Sequence, residues 1–222
     1  MDYASSTAEL STLLKTGRPH TLIRGQLLGG VGDNIGAAIV ERGYIKRYLI
    51  TPDGNQSILI IYGPGHIFPF TPIYRELTEL ELYEGDQVFY YEAMSNAKIR
   101  TITMASLGAY CQDNPHIYKE LFYIAGTRLN LVIASSEIMS LGNSYMKLAQ
   151  QLVYFGNHFG EVSANGEVKI LLPLTNSDLA GLLNLTRETI SRSMSRLKRK
   201  GLVRPGINLV ITDIDKLRRE AY

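Results

Sequence analysis

The sequence predicts an α+β chain in three parts: an N-terminal β-roll, one long helix and a C-terminal winged helix-turn-helix. Three observations carry this prediction. Residues 20–105 alternate short β-rich runs with glycine-, proline- and asparagine-bearing turns. Helical periodicity takes over after Asn114-Pro115 and meets no proline until Pro173. Two capped helices about three residues apart then precede two short β-rich runs around Pro205-Gly206. The parts divide at residues 1–112, 113–141 and 142–222.

In the first part a small helix is expected over residues 5–15, then strands over 37–40, 44–50, 58–62, 87–92 and 98–104. Turns at Asp33-Asn34, Pro52-Asp53-Gly54, Gly63-Pro64-Gly65 and Gly85-Asp86 separate them. Such spacing, without a long helical period, indicates a compact roll or barrel. In the second part Ile117, Leu121, Ile124 and Leu131 lie on one side of a helix. Phe122, Ala125, Leu129, Val132 and Ile133 extend its apolar surface around it. A helix so apolar must bury more than one face. One face is expected on the β-roll and the other on a second copy of the chain, with Ile117, Leu121, Ile124, Leu131 and Val132 as the dimer-helix residues. A helix buried entirely within its own domain is the alternative. Gly142-Asn143 suits its end.

The third part opens with a helix over residues 144–159, a turn at Ala164-Asn165-Gly166 and a strand over 168–172. Thr175 followed by Asp178 is a capping-box pattern with Asp in the usual place of Glu. Leu179, Leu182 and Leu183 give that short helix an inward face, and Asn184 tolerates the left-handed turn that ends it. Thr186 caps the next helix. At 100° per residue, Ile190, Met194 and Leu197 share one stripe. Arg187, Glu188, Ser191, Arg192 and Ser195 fall opposite, towards the end that a reading helix inserts into the DNA major groove. Arg donates two bonds to guanine, and Glu accepts from cytosine. Arg187, Glu188, Ser191 and Arg192 are therefore the expected base readers. Arg196, Lys198, Arg199, Lys200 and Arg204, with the hydroxyls of Thr175, Thr186 and Thr189, are the expected phosphate contacts. A last small helix is expected over residues 213–219.

The charge distribution agrees with this division. Residues 1–140 hold 11 Lys and Arg against 14 Asp and Glu, and residues 141–222 hold 12 against 7. A basic C-terminal third on a slightly acidic remainder suggests a polyanion-binding module joined to something else. The single cysteine, Cys111, excludes a disulfide framework or a cysteine-held metal site within one chain and suits a reducing cytoplasm. The first residues carry an early acid and no apolar run, so neither a signal peptide nor a membrane span is expected.

Over residues 175–204 the chain resembles the Crp-Fnr family of bacterial transcription regulators. The resemblance rests on Leu-Thr-Asn-Ser-Asp-Leu-Ala-Gly-Leu-Leu, Thr-Arg-Glu-Thr-Ile-Ser-Arg and Leu-Lys-Arg-Lys-Gly-Leu-Val, and it extends more weakly over nearly the whole chain. Residues 41–68 are similar to the hairpin region of the family's cyclic-nucleotide-binding-like β-roll, and 113–140 take the place of its dimer helix. The resemblance implies that Arg187, Glu188 and Arg192 match the base-contacting residues and that RNA polymerase is a partner. Asn184 stands where the family's turn usually has Gly. The sensory half departs further. The Arg-Ser pair that holds the cyclic phosphate in cyclic-AMP binders falls on Gln87-Val88, and the adenine-contacting Thr-Ser pair falls on Val132-Ile133. An effector other than cyclic AMP is therefore expected. The cysteine-held cluster of the family's oxygen sensors is beyond a chain with one cysteine.

The remaining signals are weaker. Arg75 and Tyr90 are weak effector candidates, and a surface salt bridge from Arg75 to Glu76 or Glu79 is the favoured reading of that side chain. "GGVGDNIG" (29–36) misses the dinucleotide fingerprint and reads as a β-roll turn. The histidines (His20, His66, His116 and His158) lack metal spacing, and neither a metal nor another cofactor is expected. No nucleophile elbow or paired acid–base motif occurs, so the chain reads as a non-enzyme. The expected protein is a homodimeric regulator that binds a near-palindromic DNA operator. The alternative is a ligand-sensing β-roll joined to a domain that binds nucleic acid without sequence preference.

Overall fold

The computed structural model describes residues 7–28, 35–68, 88–204, 206 and 208–221. The turns expected at Asp33-Asn34 and Gly85-Asp86, the "GGVGDNIG" segment before Ile35, and Arg75, Gln87 and Pro205 lie outside the described residues. The chain forms two compact units, Met1–Ile50 with Leu59–Leu131 and Thr51–Ile58 with Val132–Tyr222.

The first unit starts with helix α1 (Ala8–Lys15) and strand β1 (Arg18–Leu22). Strands β2 (Ile35–Arg42), β3 (Ile45–Ile50), β4 (Gln56–Tyr62), β5 (Ile67–Phe68), β6 (Phe89–Ala93) and β7 (Ala97–Thr103) follow. They form two antiparallel sheets in the orders β1-β7-β2-β5 and β4-β3-β6. Gly43, at φ +83°, sits between β2 and β3, where the chain leaves one sheet for the other, and a Cβ there would meet the Asn96 carbonyl at 2.5 Å.

Strand β2 is apolar on both faces, because its alternate residues supply two different cores. Ala38 and Val40 join Ile45, Tyr62, Phe68, Tyr91, Ala93 and Ile99 in one of them. Ala37 and Ile39 join Leu10, Leu14, Leu107 and Cys111 in the other, together with Ile117, Leu121 and Ile124. The last three lie on helix α3 (Ile117–Ser140), which follows helix α2 (Met104–Asp113). α2 falls where the sequence promised only the end of a strand. Its apolar signal is faint, with Leu107 and Cys111 its buried residues, but Thr103 caps it by accepting from the Ser106 amide. The start of α1 is tied down from α3: Glu120 accepts from the amides of Glu9 and Leu10 at 3.0 and 2.8 Å, placing a carboxylate on an open helix N-terminus.

The dimer-residue assignment needs a correction. Ile117, Leu121 and Ile124 are consumed in the chain's own core, Ile124 being fully buried, so they have no surface to offer a partner. The outward apolar residues of α3 are Tyr118, Phe122, Leu129, Val132 and Ile133; Phe122 is 76% and Val132 59% exposed.

The second unit is built on helix α4 (Ser144–Phe159), capped by Asn143, whose Oδ1 accepts from the Met146 amide at 3.0 Å. It buries Leu148, Ala149, Leu152, Val153 and Phe155. Strands β8 (Gly160–Val162), β9 (Val168–Ile170), β10 (Val203–Arg204) and β11 (Val210–Ile211) make a sheet in the order β10-β11-β9-β8. Helices α5 (Asn176–Leu183), α6 (Arg187–Arg199) and α7 (Ile214–Arg219) complete it, and β10 with β11 forms the wing. No helix among the described residues is long and apolar enough to cross a membrane.

Candidate nucleic-acid interface

Local chemistry sets both helices of the candidate reading unit. The Asp178 amide donates to Thr175 Oγ1 at 3.1 Å, and the Asp178 carboxylate accepts from the Thr175 amide at 2.9 Å, a complete capping box at the start of α5. α5 stops at Asn184, which takes φ +48° and ψ +47°. It is the one non-glycine residue at positive φ among those described, and Asn bears that conformation more readily than most side chains. The chain restarts at Thr186, whose Oγ1 accepts from the Thr189 amide at 3.2 Å.

Helix α6 is strongly two-sided. Ile190, Met194 and Leu197 are buried, joined by Ser193, whose hydroxyl lies 3.5 Å from that of Ser144 on α4. Arg187, Glu188, Ser191, Arg192 and Ser195 are exposed on the opposite side. Glu188 in the first turn and Arg196, Lys198 and Arg199 in the last suit the helix dipole, whereas Arg187 at the first position opposes it. Arg192 reaches back to donate to Thr189 Oγ1 at 3.3 Å. Arg187 and Glu188 have no ion pair among the described residues.

The cations expected on phosphate divide into two sets. Lys198 and Arg199 project freely from the end of α6. Arg196, Lys200 and Arg204 have partners within the chain. The Arg196 guanidinium lies 4.0 Å from the centroid of the Tyr145 ring. Lys200 donates to both oxygens of Glu220 at 2.6 and 2.7 Å, and the Tyr145 hydroxyl donates to Glu220 at 2.7 Å. Arg204 donates to Glu167 at 2.6 Å. The cap hydroxyls of Thr175 and Thr186 are occupied by the contacts that start their helices. Sequence periodicity places residues on a face, but it carries no information about partners contributed by α4, α7 and the β8–β9 turn.

Elsewhere the geometry bears on the weaker candidates. Cys111 is fully buried in the apolar core, which pushes its thiol pKa up, and His116 lies 2.6 Å from Glu9. No group of three His, Cys, Asp or Glu side chains able to hold a metal occurs among the described residues. Tyr90 stacks on Tyr48 at 5.4 Å, on the face of β6 opposite the core residues Tyr91 and Ala93.

Residues 146–220 match the family described as the Crp-like helix-turn-helix domain. Over 217 residues the chain is 23% identical to a CRP-like cAMP-activated global transcriptional regulator of Mycobacterium tuberculosis, covering 96% of this chain and 92% of the relative. It is also 23% identical to the electron transport regulator A of Shewanella oneidensis over 219 residues, 96% of this chain and 82% of the relative. Among solved structures, a CooA variant from Carboxydothermus hydrogenoformans aligns with a TM-score of 0.73 at 20% identity, covering 95% of this chain and 90% of that one. FixK2 from Bradyrhizobium japonicum aligns with 0.73 at 18% identity, covering 93% and 98%. These two structures share the fold.

The Tyr145–Glu220–Lys200 cluster yields a test of its own. The hydrogen bond from Lys200, and then that from Tyr145, hold the Glu220 carboxyl below its ordinary pKa. A carboxyl depressed on folding contributes stability above its unfolded pKa and loses it as the pH falls through the folded value. Glu220→Gln is therefore expected to lower the urea midpoint at pH 7, with the gap from the unsubstituted protein closing as the pH falls below about 4.3. Midpoints measured by circular dichroism across that range check this, and a gap constant with pH would contradict it.

Proposed function

We propose that this chain, a transcription regulator of the Crp-Fnr family, reads its DNA site as a homodimer through the N-terminal face of α6. One observation carries the reading. Arg187, Glu188, Ser191 and Arg192 are exposed together at the start of a helix whose other side is held in the core by Ile190, Met194 and Leu197. A helix so mounted presents two guanidiniums and a carboxylate to base edges, and the carboxylate adds discrimination that a purely phosphate-binding surface has no use for. That placement of Glu188 argues against binding without sequence preference. Lys198 and Arg199 then serve as phosphate contacts, which position the protein without reading sequence.

The dimer is supported by α3, where Phe122, Leu129, Val132 and Ile133 are exposed and apolar. Two reading helices related by a two-fold axis require a near-palindromic site with half-sites about one turn, roughly 34 Å, apart. The β-roll is the sensor, and an effector acts by shifting an equilibrium between states of the dimer.

The effector differs from cyclic AMP, although the Mycobacterium relative is cAMP-activated. Val88 is 65% exposed and its side chain has no donor for a phosphate, and the side chains of Val132 and Ile133 have none for an adenine.

Two measurements check these readings. Selection from a randomised duplex pool is expected to enrich a two-fold symmetric motif. Arg187→Ala should cost about 1–3 kcal/mol and relax one base position in each half-site. Flat enrichment with a steep salt dependence would favour the non-specific reading instead. Calorimetric titration with cyclic AMP should give no saturable heat, and saturable binding at micromolar concentration would overturn the effector assignment.

A further inference from the structure

The cations around α6 differ in what faces them. Arg187, Lys198 and Arg199 have no ion pair among the described residues. Lys200, which ends α6, and Arg204, on the first wing strand, each meet one carboxylate. These carboxylates come from other elements: Glu220 follows α7, and Glu167 stands in the turn between β8 and β9. The remaining pairs of the unit are local, Lys216 with Asp213 and Arg218 with Asp215, each three residues apart.

Both long-range pairs are firmly made. Lys200 donates to both Glu220 oxygens, and the Tyr145 hydroxyl, on α4, holds the same carboxylate at 2.7 Å. The Tyr145 ring lies 4.0 Å from the Arg196 guanidinium and 5.5 Å from Lys200 Nζ, so one carboxylate and one ring engage two cations. Arg204 Nη2 lies 2.6 Å from Glu167. In each pair the carboxylate lies deeper than its cation: 24% exposed for Glu220 against 41% for Lys200, and 18% for Glu167 against 58% for Arg204. Both carboxyls are held below their ordinary pKa, Glu220 chiefly by Lys200, and Glu167 by Asn165 and then Arg204. Both are therefore charged at neutral pH.

Exposed ion pairs stabilise a fold only modestly. Their effect on a polyanion is larger. A cation neutralised within the protein has little counterion to release on meeting a phosphate, and its carboxylate would then face that phosphate. Sequence-independent binding depends on such phosphate contacts, whereas bases are read by other side chains. Base contacts fix α6 in one register on its selected site. An unrelated duplex is held in many registers, and across these a freed cation finds a phosphate.

We propose, on the basis of the DNA-reading role of α6, that Glu220 and Glu167 are specificity-determining residues. By holding Lys200 and Arg204 they withhold two cations from sequence-independent binding to the DNA backbone.

The test is fluorescence anisotropy of the full chain with two labelled duplexes, one of unrelated sequence and one bearing the selected site, over a series of salt concentrations. Glu220→Gln, Glu167→Gln and the double variant are compared with Glu161→Gln, which removes the same charge from a residue without an ion pair among those described. On the unrelated duplex the slope of log K against log salt should steepen by about 0.9 in each single variant, and by about twice that in the double variant. Glu161→Gln should leave the slope unchanged. Affinity for the unrelated duplex should rise by a larger factor than affinity for the selected site. Circular dichroism checks folding, and should one variant fail to fold, the other, on a different element, decides. If the unsubstituted chain binds neither duplex, or selects no site, the DNA-reading role falls and the withholding role with it. If that chain binds but the variants keep its slope, the withholding role alone is overturned. Equal steepening in Glu161→Gln, or an equal or larger gain on the selected site, overturns it in the same way.

Discussion

The burial of one stripe of α6 is the constraint on which the C-terminal unit depends. Ile190, Met194 and Leu197 bury three large apolar side chains beside α4 and α5. Full burial of each is worth about 1.5–3 kcal/mol. Their spacing fixes the rotation of the helix about its axis, and that rotation decides which residues face outwards. Arg187, Glu188 and Arg192 are exposed because Ile190 and Met194 are not. The caps fix the remaining freedom: Thr186 sets where α6 begins, and Asn184 sets the angle at which it leaves α5. The direction of that exposed face is set by the packing behind it.

The N-terminal unit follows a related logic with a different element. Strand β2 supplies a core on each of its faces, which ties the two-sheet interior to the layer holding α1, α2 and the first half of α3. α3 consequently spends its early apolar residues within the chain and carries its exposed ones at Tyr118, Phe122, Leu129, Val132 and Ile133.

Much of this is legible from the residues, for identifiable reasons. Capping and periodicity are local, so the α4, α5 and α6 boundaries, the Thr175–Asp178 box and the left-handed Asn184 are written in short stretches of sequence. Helix α2 is not, because its two buried residues make a weak pattern and its cap, Thr103, is the last residue of a strand. Strand β1 is not, because Arg18, Pro19 and His20 lack an alternating apolar signal and the strand is held by pairing with β7. The engagement of Lys200 by Glu220 and of Arg204 by Glu167 depends on residues 20 and 37 positions away. The split of α3 into inward and outward apolar residues was open for the same reason. Helical periodicity shows that Ile117 and Phe122 differ in direction, and only the β-roll packing shows which one is covered.

The most direct measurement of the central claim is amide chemical-shift mapping of the full chain on addition of a duplex bearing its selected site. The account predicts that the largest changes run from Thr186 to Ser195, with those on the exposed side, Arg187, Glu188, Ser191 and Arg192, exceeding Ile190 and Met194. Changes confined to other surfaces, with α6 undisturbed, would contradict it.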